Sequence, residues 1–320
     1  MLIEPVNIQE QQYSELVSAC GTVFNSVKWL EMYENSLSTY GIFNDNKELI
    51  GAFNYYTVNR FGIKIIKTPP FSPHIGLIFM NPAQQAHQRN TFVKKINQCV
   101  AEFLLRQHAA IYFLALPAYI TDTQSFHWLK FNVSPNYTYQ LNLNLSENEL
   151  SGLMSDKKRN SIKKALKDNV LIEQVSDYTE IKKIAGQTYL RKSKKLNETI
   201  LNAILNKFAH TGNCFALVAR LNNKVTAMSF CIYDTTTAYY LLGGYNPENK
   251  HNGSGALVLY SSILHAKKAG LTCFDFEGSM LPEVEENFRE FGGDLTPYQT
   301  LSKAGNLYKL PLKLIKPQLF

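Results

Sequence analysis

No two of the five cysteines, Cys20, Cys99, Cys214, Cys231 and Cys273, are spaced as C-x-x-C, and their number is odd. A disulfide framework or a thiolate metal site therefore has no sequence support, and reduced thiols in a cytoplasmic protein are the expectation. There is no H-E-x-x-H and no Cys/His cluster, so no metal is expected. The one Gly-Ser-Gly lacks the G-x-S-x-G setting of a hydrolase elbow. Met1-Leu2-Ile3-Glu4-Pro5 has neither the basic start nor the apolar core of a signal peptide. No apolar run approaches the length of a bilayer span, so no integral membrane segment is expected.

What is present is ample core material. The chain has 320 residues, 45% of them apolar and 12% aromatic, enough for two folded domains. Its formal charge of +7 is unevenly placed: residues 1–145 hold 10 Lys/Arg against 9 Asp/Glu, and residues 146–320 hold 23 against 17. A positive field in the second half suits phosphorylated cofactors, nucleotide-linked substrates or RNA. It equally suits a solvated lysine-rich face.

Periodicity predicts two short helices over 11–35, then antiparallel strands at 40–43, 49–58 and 63–68 with turn chemistry between them. A strand at 75–80, a long helix over 84–107, a strand at 110–116, a short helix and a strand through 137–145 follow. In the second half, a basic helix runs to Ala165 and beyond, carrying Lys157, Lys158, Arg159, Lys163, Lys164 and Lys167. A strand at 170–175, helices at 178–192 and 198–208 and a meander at 214–220, 224–233 and 237–245 come next. A helix over 256–268, a strand at 272–276, a helix at 282–290 and a strand at 297–302 complete the chain. The two halves repeat one order of elements, and Asn81-Pro82 sits where Asn246-Pro247 does. This predicts a mixed α/β, α+β duplicated fold with domains at 1–145 and 146–320.

The stretch 238–259 concentrates the second half's chemistry. A strand containing Gly243-Gly244 leads through Lys250-His251-Asn252-Gly253-Ser254-Gly255 into a helix. Glycines let a ligand approach unpaired N–H groups at a helix start, so Gly253, Ser254, Gly255 and Lys250 are candidates for an anion cradle, against an ordinary helix-entry loop. Gly243 and Gly244 are read as a bulge that frees N–H groups, or one that merely bends the sheet. The first half has no glycine at the corresponding loop, so no cofactor site is expected there.

Asp275 and Glu277, two apart on a strand, would face one way. They could hold an ammonium or supply a general base, or serve as edge charges or partners of Arg289. Tyr245 lies at the mouth of the stretch and could exchange a proton; Arg289 and Phe291 could shape an acceptor pocket or simply pack. His251 reads as solvated. The basic helix reads as an RNA or phosphate contact, or as an exposed face.

Lys250-x-x-Gly253-x-Gly255 resembles the pyrophosphate motif of the GNAT acyltransferase superfamily, with lysine in place of the usual Gln or Arg. Phe24-Asn25-Ser26 near Trp29, Tyr240-Leu241-Leu242-Gly243-Gly244, Phe274-Asp275-Phe276-Glu277-Gly278-Ser279 and Phe288-Arg289-Glu290-Phe291-Gly292-Gly293 together resemble its FemAB-like branch. The resemblance implies two tandem GNAT-like domains, each a mostly antiparallel sheet flanked by helices. It implies an N-acyltransferase that moves an acyl group from acyl-CoA, acetyl-CoA first, to a small-molecule or cell-wall precursor amine. Aminoacyl-tRNA is the alternative donor, as in a peptidyltransferase, and a non-catalytic nucleotide- or RNA-binding protein is the third reading. No tyrosine stands between Ser279 and Glu290, where the superfamily often has a thiolate-protonating one.

Overall fold

In the computed structural model, which describes residues 1–278, 280–305 and 307–308, contacts group the chain into two units. The first is Met1–Asn136 together with the chain from Pro297; the second is Tyr137–Thr296.

The first unit opens with β1 (Leu2–Pro5), α1 (Gln11–Cys20) and α2 (Val27–Leu30). The antiparallel strands β2 (Leu37–Phe43), β3 (Leu49–Arg60) and β4 (Ile63–Lys67) follow, with a short β5 (Ile78–Phe79) against β3. Helix α3 (Ala86–Arg106) buries Ile96, Val100, Phe103 and Leu104, the i, i+4, i+7, i+8 stripe of a one-faced helix. Strand β6 (Ile111–Ala115) lies parallel to β4, and α4 (Gln124–Trp128) caps the core. The Phe24-Asn25-Ser26 motif is a clamp on the proline-rich loop. Asn25 Nδ2 donates to the Gly76 carbonyl at 2.8 Å, Trp29 Nε1 donates to Ser72 Oγ at 2.9 Å and the Tyr33 hydroxyl donates to the Pro70 carbonyl at 2.6 Å.

The second unit uses the end of β7 (Asn132–Asn142), then α5 (Glu147–Leu153) and α6 (Asp156–Lys167), separated by the Ser155 N-cap. Strand β8 (Leu171–Val175), α7 (Thr179–Arg191) and α8 (Glu198–Asn206) precede the meander β9 (Cys214–Leu221), β10 (Lys224–Tyr233) and β11 (Thr237–Tyr245). Then come α9 (Ser254–Lys268), β12 (Cys273–Asp275), α10 (Pro282–Arg289) and β13 (Asp294–Ala304). Strand order in this unit is β7-β12-β11-β10-β9-β8, with β11 and β12 parallel and the other pairs antiparallel. Leu257, Val258 and Ile263 of α9 pack with Leu217, Cys231 and Phe274 in one core.

The units do not follow one cut at residue 145. The strand beside β12 is β7 (Cys273–Asp275 against Asn142–Gln140), and the strand beside β6 is the tail of β13 (Thr300–Ala304 against Ala115–Ile111). Each unit is completed by the strand that the duplicated order would assign to the other half.

Candidate active site

The site is built where β11 and β12 part. Their parallel pairing covers only Thr237–Tyr239 against Cys273–Asp275. Strand β11 runs on to Tyr245, and no strand pairs with that edge beyond Tyr239 among the described residues. Half of the backbone N–H and C=O groups over this stretch therefore have no strand partner among the described residues. The bulge in β11 is at Leu241: the register against β10 slips between Phe230/Leu242 and Cys231/Tyr240, while Gly243 and Gly244 stay in step with Ser229 and Met228. The glycine pair thus does not form the bulge that the sequence suggests.

The two glycines have steric work instead. A β-carbon on Gly243 would collide with the Tyr240 hydroxyl, and one on Gly244 would collide with Thr188 Oγ1, with Ile184 Cγ2 at 3.1 Å. Gly244 lets α7 lie close to the strand, and Gly243 makes room for a phenol. The Tyr240 ring packs against Phe274 and Phe288, with centroids 6.5 and 5.9 Å away. Its hydroxyl has no hydrogen-bond partner among the described residues, and burial pushes its pKa up, so it stays protonated. Sequence reasoning missed Tyr240, because a tyrosine in an apolar strand reads as packing; the signal was Gly243, three residues on.

Asp275 ends β12 and is fully occupied. Its Oδ1 accepts from Thr138 Oγ1 at 2.6 Å and from the Glu277 N–H at 2.8 Å, and its Oδ2 accepts from Gln140 Nε2 at 2.8 Å. Burial raises its pKa while these bonds oppose the rise. Asp275 ties β12 to β7. Glu277 lies beyond the strand at φ 59°, so the two-residue alternation expected from the sequence does not reach it. Its Oε1 is out of water without a hydrogen-bond partner among the described residues. Burial first, and the Asp275 charge second, hold its pKa well above 4.5. A left-handed backbone at a non-glycine residue and an unpaired buried carboxyl oxygen coincide here, a combination that marks functional sites. Ser279 lies outside the described residues.

The anion loop is half filled by protein. Gly253 has φ +120°, and a β-carbon there would strike the Ser161 carbonyl of α6 and come within 3.3 Å of Ala165 Cβ. Ser254 is buried, its Oγ 3.1 Å from His251 Nδ1, and His251 Nε2 is 3.1 Å from Asp168 Oδ2. His251, read as solvated from sequence, is the link of a chain that ties the helix entry to the end of α6. Gly255, in contrast, is exposed with open space around it. It leaves first-turn N–H groups of α9 facing outward.

Beside this loop, the 38%-exposed Tyr245 is held between two cations: the Arg191 guanidinium is 4.2 Å and the Lys250 ammonium 5.4 Å from its ring centroid. Arg191 Nη2 also donates to Thr188 Oγ1 at 3.0 Å and to the Tyr245 carbonyl at 3.2 Å. Lys192 adds a third charge; burial lowers its pKa first, and Lys194 and Arg191 add to the drop. Tyr245 is thus part of a cationic platform.

Arg289 and Phe291 are both engaged with neighbouring side chains. Phe291 is wholly buried against Phe276 and under the Lys158 ammonium. Arg289 pairs with Glu285 at 3.1 Å, and Glu285 also accepts from the Tyr139 hydroxyl at 2.6 Å. Most of the basic helix is likewise committed: Lys157 and Lys158 pair with Glu290, Lys157 also with Glu286, Lys164 with Asp168, and Arg159 with Asp156 and the Met154 carbonyl. Lys163 and Lys167 are exposed and form no ion pair among the described residues.

Residues 177–288 match the family model described as an acetyltransferase (GNAT) domain. The matched residues lie within the second unit and include the place where β11 and β12 part. The chain is similar in fold to FemX, with 13% identity, 97% of this chain and 99% of that one covered and a TM-score of 0.66. It is similar also to the C-terminal domain of a putative lysylphosphatidylglycerol synthetase from Agrobacterium fabrum, with 12% identity, 94% of each chain covered and a TM-score of 0.57. A tandem GNAT protein from the clavulanic acid biosynthesis pathway matches with 8% identity, 94% and 97% coverage and a TM-score of 0.51. No curated protein sequence matches the chain. The chain thus shares its fold with tandem GNAT proteins, and the matched acetyltransferase (GNAT) segment lies in its second unit.

Proposed function

We propose that the chain is an N-acyltransferase that takes an acyl group from a phosphate-bearing carrier, acyl-CoA first, and passes it to an amine. The observation that carries this reading is Glu277, an elevated carboxyl with an unpaired oxygen, set just past the point where β11 and β12 separate. In such a transfer, the amine nitrogen bonds to the thioester carbonyl, the C–S bond breaks, and the ammonium proton must leave. Deprotonated Glu277 is suited to accept that proton, and the protonated Tyr240 hydroxyl is suited to return one to the departing thiolate. Free N–H groups on the β11 edge would hold the oxyanion. The carrier's phosphates would lie against Gly255, Lys250 and Arg191. The first unit, with no glycine at its matching loop, is read as a domain without a cofactor site.

Aminoacyl-tRNA is the second reading. It is supported by the exposed Lys163 and Lys167 and by the architecture shared with FemX, and under it the acceptor is a cell-wall precursor or a lipid amine or hydroxyl. A non-catalytic nucleotide- or RNA-binding protein is the third. A cytoplasmic site of action goes with either carrier; among the described residues no helix is long and apolar enough to cross a membrane. Calorimetric titration with acetyl-CoA decides. Saturable binding that Gly255→Glu abolishes supports the first reading. Salt-sensitive tRNA binding that Lys163→Glu and Lys167→Glu weaken, with no acetyl-CoA heat, moves the assignment to the second. Binding of either without transfer to any amine would overturn catalysis.

A further inference from the structure

The turn between β3 and β4 is a two-residue hairpin, Phe61-Gly62, closed by the Arg60–Ile63 pair. Both central residues have left-handed backbones, with φ 49° at Phe61 and 75° at Gly62. Such a turn favours Asn-Gly, because a bulky side chain at positive φ is strained. Phe61 is fully exposed, so no packing within the chain offsets that strain. An exposed phenylalanine alone is ordinary; one held in a strained turn with nothing to pack on is not. The hairpin also projects: Thr57–Arg60 pair with β4 only, since β2 begins at Leu37, opposite Tyr56.

Three other segments of the first unit meet beside it. Lys64 Nζ donates to the Gln107 carbonyl at the end of α3, the Ala110 N–H to the Lys64 carbonyl, and the Gly305 N–H, just past β13, to the Ala110 carbonyl, each at 2.9 Å. Lys303 Nζ donates to the Leu129 and Lys130 carbonyls ahead of β7. The charge carried by these segments has one sign. Residues 57–68, 103–111, 129–138 and 297–308 contain no Asp or Glu. Arg60, Lys64, Arg106 and Lys130 form no ion pair among the described residues. Glu102, one turn back along α3, accepts from Gln98 Nε2. Leu307 adds a second exposed apolar side chain, and the sequence continues Lys-Leu-Pro-Leu-Lys-Leu-Ile-Lys over 309–316, again without an acid.

We propose that this end of the first unit docks on an anionic membrane surface, with Phe61 set among the lipid headgroups and Arg60, Lys64, Arg106 and Lys130 supplying the attraction. An aromatic ring on a projecting tip suits an interface that a side chain can enter, and cations around it suit a surface of uniform negative charge. A nucleic acid asks instead for a groove with successive stacking rings, and at the hairpin tip Phe61 is a single ring. The proposal does not depend on the acyl transfer, and it stands if that assignment fails.

The probe is the full chain mixed with sedimentable vesicles of phosphatidylcholine, alone or with about one-third phosphatidylglycerol, at low and high salt. The chain should pellet with the anionic vesicles at low salt and stay in the supernatant with the zwitterionic ones. Phe61→Asn should weaken that binding about tenfold or more, the share of one apolar side chain. It should melt no lower than the parent, because asparagine accepts a left-handed backbone. Arg60→Ser should weaken binding about fivefold. In Phe61→Trp, emission should move to the blue when anionic vesicles are added, a change that Trp29 and Trp128 of the parent should not show. Absence of vesicle binding, equal binding to zwitterionic vesicles, or binding unaltered in Phe61→Asn would overturn the proposal. So would binding of a single-stranded RNA that Phe61→Asn weakens when no vesicle pellets the chain.

Discussion

The α-carbon of Gly253 rests against the carbonyl oxygen of Ser161, with no room between them for a β-carbon. The residue that most resembles a phosphate-binding glycine is thus held first by a neighbouring helix, at a φ of +120° that side chains seldom adopt. Gly253→Ala should destabilise the chain by on the order of 2 kcal/mol or more, from strain and the clash together, read as a lower urea midpoint with unchanged m-value. Gly255→Ala, in open space, should leave that midpoint within about 0.5–1 kcal/mol of the parent. A charge placed at Gly255, not at Gly253, therefore tests the carrier site without unfolding it.

Glu277→Gln should separate activity from stability. As proton acceptor, Glu277 would contribute roughly 10²–10⁴-fold to the rate, and the glutamine variant should lose about that much in kcat. Because the folded-state pKa lies well above 4.5, the folded chain binds more protons than the unfolded one from about pH 4.5 upward. Parent stability therefore falls as pH rises through the folded pKa, and its activity rises over the same window. The variant lacks the buried charge. It should be more stable than the parent at neutral pH, with the difference vanishing below pH 4.5, as thermal melts across pH will show.

Asp275→Asn should behave in the opposite way. Three donors converge on Asp275, from Thr138, Gln140 and the Glu277 N–H. The amide replaces an acceptor with a donor facing one of them, so a loss of about 1–3 kcal/mol is expected at neutral pH. Chemical denaturation checks this. A fall in activity larger than the fraction unfolded would reassign Asp275 to the reaction.

Tyr240→Phe and Gly243→Ala should both depress kcat with little change in KM for the amine. The first removes the hydroxyl, and the second displaces it. Steady-state kinetics distinguish this from a packing role, in which Tyr240→Phe would leave kcat intact.

Arg191→Ala and Lys250→Ala should each raise KM for a phosphate-bearing donor by roughly tenfold, and the effect should shrink with added salt. Arg191→Lys should recover little, since one ammonium cannot both bond the Thr188 and Tyr245 oxygens and lie flat on the Tyr245 ring.

Local pattern carried most of the fold. The meander β9–β11 and helix α3 are legible because their apolar spacing and turn residues agree with their tertiary setting. What was not legible depends on partners distant in sequence. Nothing in the alternation of 137–145 or 297–302 tells which strand edge each will meet. The Gly253 contact needs Ser161, 92 positions away, and the hydrogen bond that holds His251 needs Asp168, 83 positions earlier. The same-face alternation of Asp275 and Glu277 fails at φ 59°, and what sets Glu277 apart in the structure is its isolation, not its spacing.

The strands that complete the two units bear on biosynthesis. Edge Ile111–Ala115 leaves the ribosome long before residues 300–304, which cover it, have been made. Until then, the first unit carries an open strand edge, the kind of surface that recruits foreign strands. Maturation of the first unit therefore waits until residues 300–304 have been made, and a nascent chain halted near residue 145 is a candidate for chaperone capture rather than an autonomous domain.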